Sequence, residues 1–237
     1  MFGLKKKMFG GDARTFRHDT GGSLGAYRSA KSSGLAAGLV AGTMVATATG
    51  WRPVEAIAKG DLVLTFDRGL QPVQSVSHGV QWDSDDPCPE QLWPLDVPAG
   101  ALGNQEKMTL LPEQCVMVES DFAESTLGDP FALMTASDLE GFRSIQRVQP
   151  TQEIPVCQLS FERDEVVFAN SGALSFCPCQ RVIKLDELLE RGSEPGHYMP
   201  LCSAEAGRLI NGMVKEDLGN TEGRPATART VKYATVA

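Results

Sequence analysis

The chain has 237 residues, 42% hydrophobic and 22% charged, with a net charge of −8, which suits one sizeable domain with appendages or two small ones. The charge is uneven: residues 1–34 hold seven Lys/Arg against two Asp/Glu, a balance of +5 that leaves −13 for the remainder. A basic arm on an acidic body argues against nucleic acid as the body's ligand.

Residues 1–34 open MFGLKKKMFGGD and run on through Gly, Ser and Arg with no apolar period. That composition predicts an arm without a core of its own. Phe2, Lys5, Lys6, Lys7, Phe9, Phe16 and Tyr27 are its candidate partner-docking residues. Basic groups beside aromatic ones suit RNA, anionic lipid or an acidic protein groove as the surface the arm touches. The segment GGDARTFRHDTGG separates Lys7 from anything apolar, so no secretory signal is read. No run approaches the ~20 apolar residues that span a bilayer.

Residues 38–67 read GLVAGTMVATATGWRPVEAIAKGDLVLTFD. Two β-rich runs, MVATAT and LVLTFD, flank a segment holding Gly50, Pro53 and Gly60, and Gly60-Asp61 marks a turn before the second run. Short strands continue to residue 82 through GLQPVQSVSHGVQW, where His78 is read as a surface or hydrogen-bonded residue. Residues 83–94 form a polar loop; its Asp83, Asp85 and Asp86 lack the Gly and distal Glu of a calcium loop.

The opening stretch resembles that of the Hint domain, the autoprocessing fold shared by Hedgehog proteins and inteins. It is similar to the bacterial branch, whose members begin with Cys, a short apolar step and Gly-Thr, followed by G-[WE]-x-P-V-E-x-[IL]-x-x-G-D-x-V-L-T. The resemblance places Gly38 at the nucleophilic Cys. Further on, Leu111-Pro112-Glu113-Gln114-Cys115-Val116-Met117-Val118 resembles the block whose His protonates the leaving amide nitrogen. Gln114 stands at that His and Leu111 at the usual Ser/Thr. Gln keeps similar hydrogen-bonding capacity and exchanges no proton near neutral pH.

Residues 128–141, GDPFALMTASDLEG, are predicted as a helix, with Asp129 as N-cap, Pro130 in the first turn and Gly141 at the exit. A short strand follows at 143–150. IPVCQLSFERDEVVFAN alternates on both sides of a turn at Glu162-Arg163-Asp164 and is predicted as a hairpin. Asp164 takes a position where the family usually has His. Asn170-Ser171 resembles the C-terminal splice junction of inteins, but Ala169 replaces the assisting His, and a turn is the expected role. Six cysteines, Cys88, Cys115, Cys157, Cys177, Cys179 and Cys202, are too sparse for a disulfide scaffold and read as free thiols in a reducing compartment. Cys177-Pro178-Cys179 has no second ligand pair at finger spacing, so no metal is expected, and no cofactor. VIKLDELLER puts Val182, Leu185, Leu188 and Leu189 on one helical stripe, and residues 212–237 read as a polar tail.

The resemblance implies a mostly β fold, a Hint horseshoe of antiparallel strands with a few short helices and extended terminal arms. The boundaries read 1–34 for the arm, 35–180 for the Hint-like body and 181–237 for a helix and tail. Thr43 and Cys115 are the groups nearest to a substitute nucleophile, and neither lies at the bond the fold presents. Losing the nucleophile of a concerted site costs on the order of 10⁶ in rate. The expectation is therefore a non-enzymatic, cytoplasmic accessory subunit that docks into a protein assembly through residues 1–34 and the C-terminal tail. A self-processing peptidase with a displaced nucleophile is the alternative, and a small-molecule or metal-binding module ranks last.

Overall fold

The computed structural model describes residues 34–83, 85–179 and 198–221. The docking residues Phe2, Lys5, Lys6, Lys7, Phe9, Phe16 and Tyr27, the 182–189 stripe and residues 222–237 lie outside them.

Every strand pairing in the described residues is antiparallel. The strands are β1 (Leu39–Val40), β2 (Met44–Thr47), β3 (Gly50–Pro53), β4 (Leu62–Thr65), β5 (Gly69–Pro72), β6 (Ser75–Val80) and β7 (Leu95–Val97). Then come β8 (Met108–Leu110), β9 (Cys115–Glu119), β10 (Phe131–Thr135), β11 (Gln146–Arg147), β12 (Pro155–Ser160), β13 (Glu165–Ala169) and β14 (Ala173–Cys177). One sheet runs β11-β7-β8-β1-β12-β6; the other runs β10-β9-β14-β13-β2-β4-β5, with β3 on β2.

The two predicted β-rich runs are β2 and β4, and the Gly60-Asp61 turn leads into the second. Apolar residues on alternate positions fill two cores between the sheets. One gathers Leu95, Leu110, Val116 and Met134. The other gathers Leu39, Val45, Val63, Cys157 and Val167. The two-residue strand β1 sits on the seam: Leu39 faces Leu110 on one side and Cys157 on the other.

Three expectations are corrected. Residues 128–141 are not a helix. Phe131–Thr135 pairs with β9 over its whole length, and only Ala136–Leu139 makes a 3-10 turn, closed by a Thr135–Asp138 capping box. Ala, Leu and Met favour helices intrinsically, but pairing along a strand whose middle three residues are buried outweighs a propensity of a few tenths of a kcal/mol per residue. The Asp129 carboxylate accepts from the Phe131 N–H, a turn bond that starts a strand. The helix lies just upstream, as α1 (Asp121–Leu127): the Ser120 hydroxyl accepts from the N–H groups of Phe122 and Ala123, and Gly128 closes it at φ 80°.

Second, β12 and β13 do not form a hairpin. Each already has neighbours on both sides, β12 between β1 and β6, β13 between β14 and β2, so the 161–164 turn passes from one sheet to the other. Third, residues 212–221, read as the start of a polar tail, belong to α2 (Ser203–Thr221). Ala206, Leu209 and Met213 line one stripe of α2 and are buried in the first core. No helix of the described residues is long and apolar enough to cross a membrane.

Candidate functional site

Two residues singled out in the sequence meet at the seam. The Gly38 N–H donates to Gln114 Oε1 at 2.9 Å across 76 residues of chain. Gln114 is 3% exposed and its orientation is settled by its other end. Nε2 donates to the carbonyls of Cys115 and Phe176, both at 2.8 Å. Flipping the amide would turn its oxygen on two carbonyls and its NH2 on the Gly38 N–H, so Oε1 must face Gly38.

The other half of that peptide unit is held by a residue the sequence did not announce. Gln158 Nε2 donates to the Ala37 carbonyl at 3.0 Å, and its Oε1 accepts from the Ser77 hydroxyl at 3.3 Å. Gln158 sits on β12 as a polar residue in an alternating strand, and nothing in that pattern marks it as different from any outward-facing Gln. The bond between Ala37 and Gly38 thus has its carbonyl in one glutamine's reach and its nitrogen in another's. A cavity of about 60 Å³ borders it, lined also by Cys157, Phe176, Cys177 and Pro178.

Gly38 is a glycine for a steric reason. Its φ is +132°, and an added Cβ would stand 2.6 Å from Val156 Cγ1. Val156 is 1% exposed, β-branched and unable to swing aside.

The remaining candidates stand apart. Thr43 is buried, and its backbone bonds Val40 and Val54. Cys115 adjoins Gln114, but its thiol is directed to the Glu113 carbonyl. Burial first, then the Asp138 and Glu113 carboxylates, push that thiol up from its usual pKa. Asn170 takes φ 43° and Ser171 φ 60° in the turn from β13 to β14, the expected turn role. The Asn170 side-chain oxygen accepts from the Met44 N–H and its own N–H donates to the Met44 carbonyl, both at 2.8 Å. Asp164 accepts from the Cys179 N–H at 2.7 Å.

Outside the seam, His78 is hydrogen-bonded: its Nδ1 lies 3.3 Å from Cys157 Sγ, across the pairing of β6 and β12. Burial, then the Glu55 carboxylate, raise the Cys157 pKa. Burial alone pushes the Cys177 thiol up to about 12. Among the described residues no group of three His, Cys, Asp or Glu side chains could hold a metal ion.

A thiol reacts as thiolate, so these environments set an order of reactivity. Brief alkylation of the native protein at pH 8, mapped by mass, is expected to modify exposed Cys202 first and to leave Cys177 and Cys157 unmodified. Cys115, whose thiol is held in the protonated form by burial, is expected to trail Cys202 in labelling rate. Fast labelling of Cys115 would contradict this ordering and revive it as a nucleophile.

No curated protein matches the chain. Among solved structures it is similar to a bacterial intein-like domain from Clostridium thermocellum, at 16% identity, 59% of this chain and 97% of that one, with a TM-score of 0.43. It is also similar to a splice-inactive variant of the AceL NrdHF class 3 split intein, at 15% identity, 61% of this chain, 99% of that one and a TM-score of 0.40. A third is the N145AA form of the MchDnaB-1 intein, at 15% identity, 60% of this chain, 99% of that one and a TM-score of 0.40. The family model described as Hint domain matches residues 37–179, beginning at the residue whose carbonyl Gln158 holds and ending just beyond β14. With that match spanning more than half of its length, this antiparallel β protein belongs to the Hint domain family.

Proposed function

We propose that this Hint domain does not process itself and serves as a structural or accessory component of a protein assembly, docking through residues 1–34 and its C-terminal tail. The observation that carries this reading is the polarity of the hydrogen bond on the Gly38 nitrogen. An N-to-S or N-to-O acyl shift needs a nucleophile beside the carbonyl and a proton delivered to the leaving nitrogen. Gly38 has no side chain, and the atom Gln114 turns to the nitrogen is an acceptor. That bond stabilises the planar amide and its N–H, the ground state of the reaction rather than its product.

The basic, aromatic composition of residues 1–34 against the −13 of the remainder supports docking on an acidic protein surface in the cytoplasm. The intact mass of freshly purified protein, with and without dithiothreitol, is expected to be that of the full sequence. A fragment starting at residue 38, or a thiol adduct of the upstream fragment, overturns the reading. In a pull-down from source cells, deleting residues 1–34 is expected to release the partners that the full chain retains. If every partner stays bound, the docking part fails and the non-catalytic part stands.

A further inference from the structure

Residues 35–38 are tied to the body by hydrogen bonds one after another. The Leu35 N–H donates to the Val80 carbonyl at 3.0 Å, and the Ala36 carbonyl accepts from the Glu113 N–H at 2.9 Å. The Ala37 carbonyl accepts from Gln158 and the Gly38 N–H donates to Gln114. Those partners come from β6, the turn before β9, and β12.

The fit is steric as well as polar. A Cβ on Gly34 would stand 2.4 Å from the Gln81 carbonyl oxygen, backbone that cannot yield; at Gly38 it would meet Val156 at 2.6 Å. Between them Leu35 lies over the bare face of Gly79, where an added Cβ would come within 2.7 Å of its Cδ1. Ala36 and Ala37 are held by main-chain oxygens alone in the bonds above. Close packing selects the side chains, and the backbone bonds are indifferent to them.

We propose that the seam is a peptide-recognition groove that reads the pattern Gly-Leu-x-x-Gly in a bent conformation, with this chain's own residues 34–38 as its ligand. It rests on the non-catalytic reading, because a peptide gripped at carbonyl and nitrogen at once is a bound ligand. Gln114 and Gln158 are positioning residues in this groove, and its effect is to give the N-terminal segment a fixed covalent root on the body.

Amide hydrogen exchange on the full-length protein tests it. In the wild type the Leu35 and Gly38 amides are expected to exchange at least about tenfold more slowly than in a free chain, the yield of one net hydrogen bond. Gln158→Glu keeps the side chain's shape and puts an acceptor against the Ala37 carbonyl; it is expected to speed both amides about tenfold. Gly34→Ala is expected to do the same by a steric route, with the amides of Val63 and Val167 unchanged in both variants. Free-chain exchange in the wild type, no change in either variant, or an equal rise across the body overturns the groove. Intact mass of the same samples separates the two claims: cleavage before residue 38 sinks the non-catalytic reading, whereas an intact chain with unprotected amides sinks only the groove.

Discussion

Gly172→Ala is expected to destabilise the body by about 4 kcal/mol, a size reserved for backbone strain and severe overpacking. A Cβ at residue 172 would lie 2.0 Å from the Gly103 carbonyl oxygen and 2.9 Å from its carbon. Both atoms are backbone, so no rotamer change relieves the contact. The two segments are also stitched by the Gln105 N–H donating to the Asn170 carbonyl at 3.0 Å, a bond lost if they separate. For a domain of this size the change lowers Tm by about 8–16 °C. Gly207→Ala is the matched control. It sits inside α2 with nothing within 4 Å of its added Cβ, so the same substitution is expected to stabilise by about 0.5–1 kcal/mol. Thermal unfolding of the pair should move in opposite directions; equal shifts would mean that the crossing is not the cause.

Gln114→Leu is expected to cost about 3–5 kcal/mol. It strands the Gly38 N–H and the Cys115 and Phe176 carbonyls without their side-chain partner. Each buried unpaired group costs about 1–3 kcal/mol, discounted here because part of the site opens onto the small cavity. Urea unfolding reads this out with an unchanged m-value. A loss below about 1 kcal/mol would show that water replaces the glutamine and that the amide is not a structural keystone.

The order of these costs reflects what could be read from residue types. The framework over residues 38–82 was legible because its glycines and β-branched runs are locally determined, and β2, β4, β5 and β6 fall there. Gly38 and Gln114 were also legible as a pair, through the resemblance that placed both. Their mutual hydrogen bond confirms adjacency, while their chemical silence remains part of the proposal. Gln158 was not legible, since a polar residue on an alternating strand reads as solvent-facing until its neighbour strand is known. The 128–141 helix failed for the same reason in reverse: FALMT fits helix or strand, and only β9 decides. The supposed hairpin shows the limit most directly. Alternation and a turn at Glu162-Arg163-Asp164 identify two strands, but pairing depends on which other edges are already taken. For α2, the stripe Ala206, Leu209, Met213 went unread: its helical spacing is set among polar residues and becomes decisive only once the first core is there to bury it.

The passage of the chain between sheets at residues 161–164 also bears on how the protein is made. β1 has its neighbours in β8 and β12, and β2 reaches β13, so the first strands translated wait for partners more than a hundred residues downstream. The first sheet cannot close until β12 has left the ribosome, nor the second until β14 has, and until then the early strands expose unpaired edges that invite self-association. The grip on residues 34–38 is accordingly among the last features to form, since β12 supplies part of it.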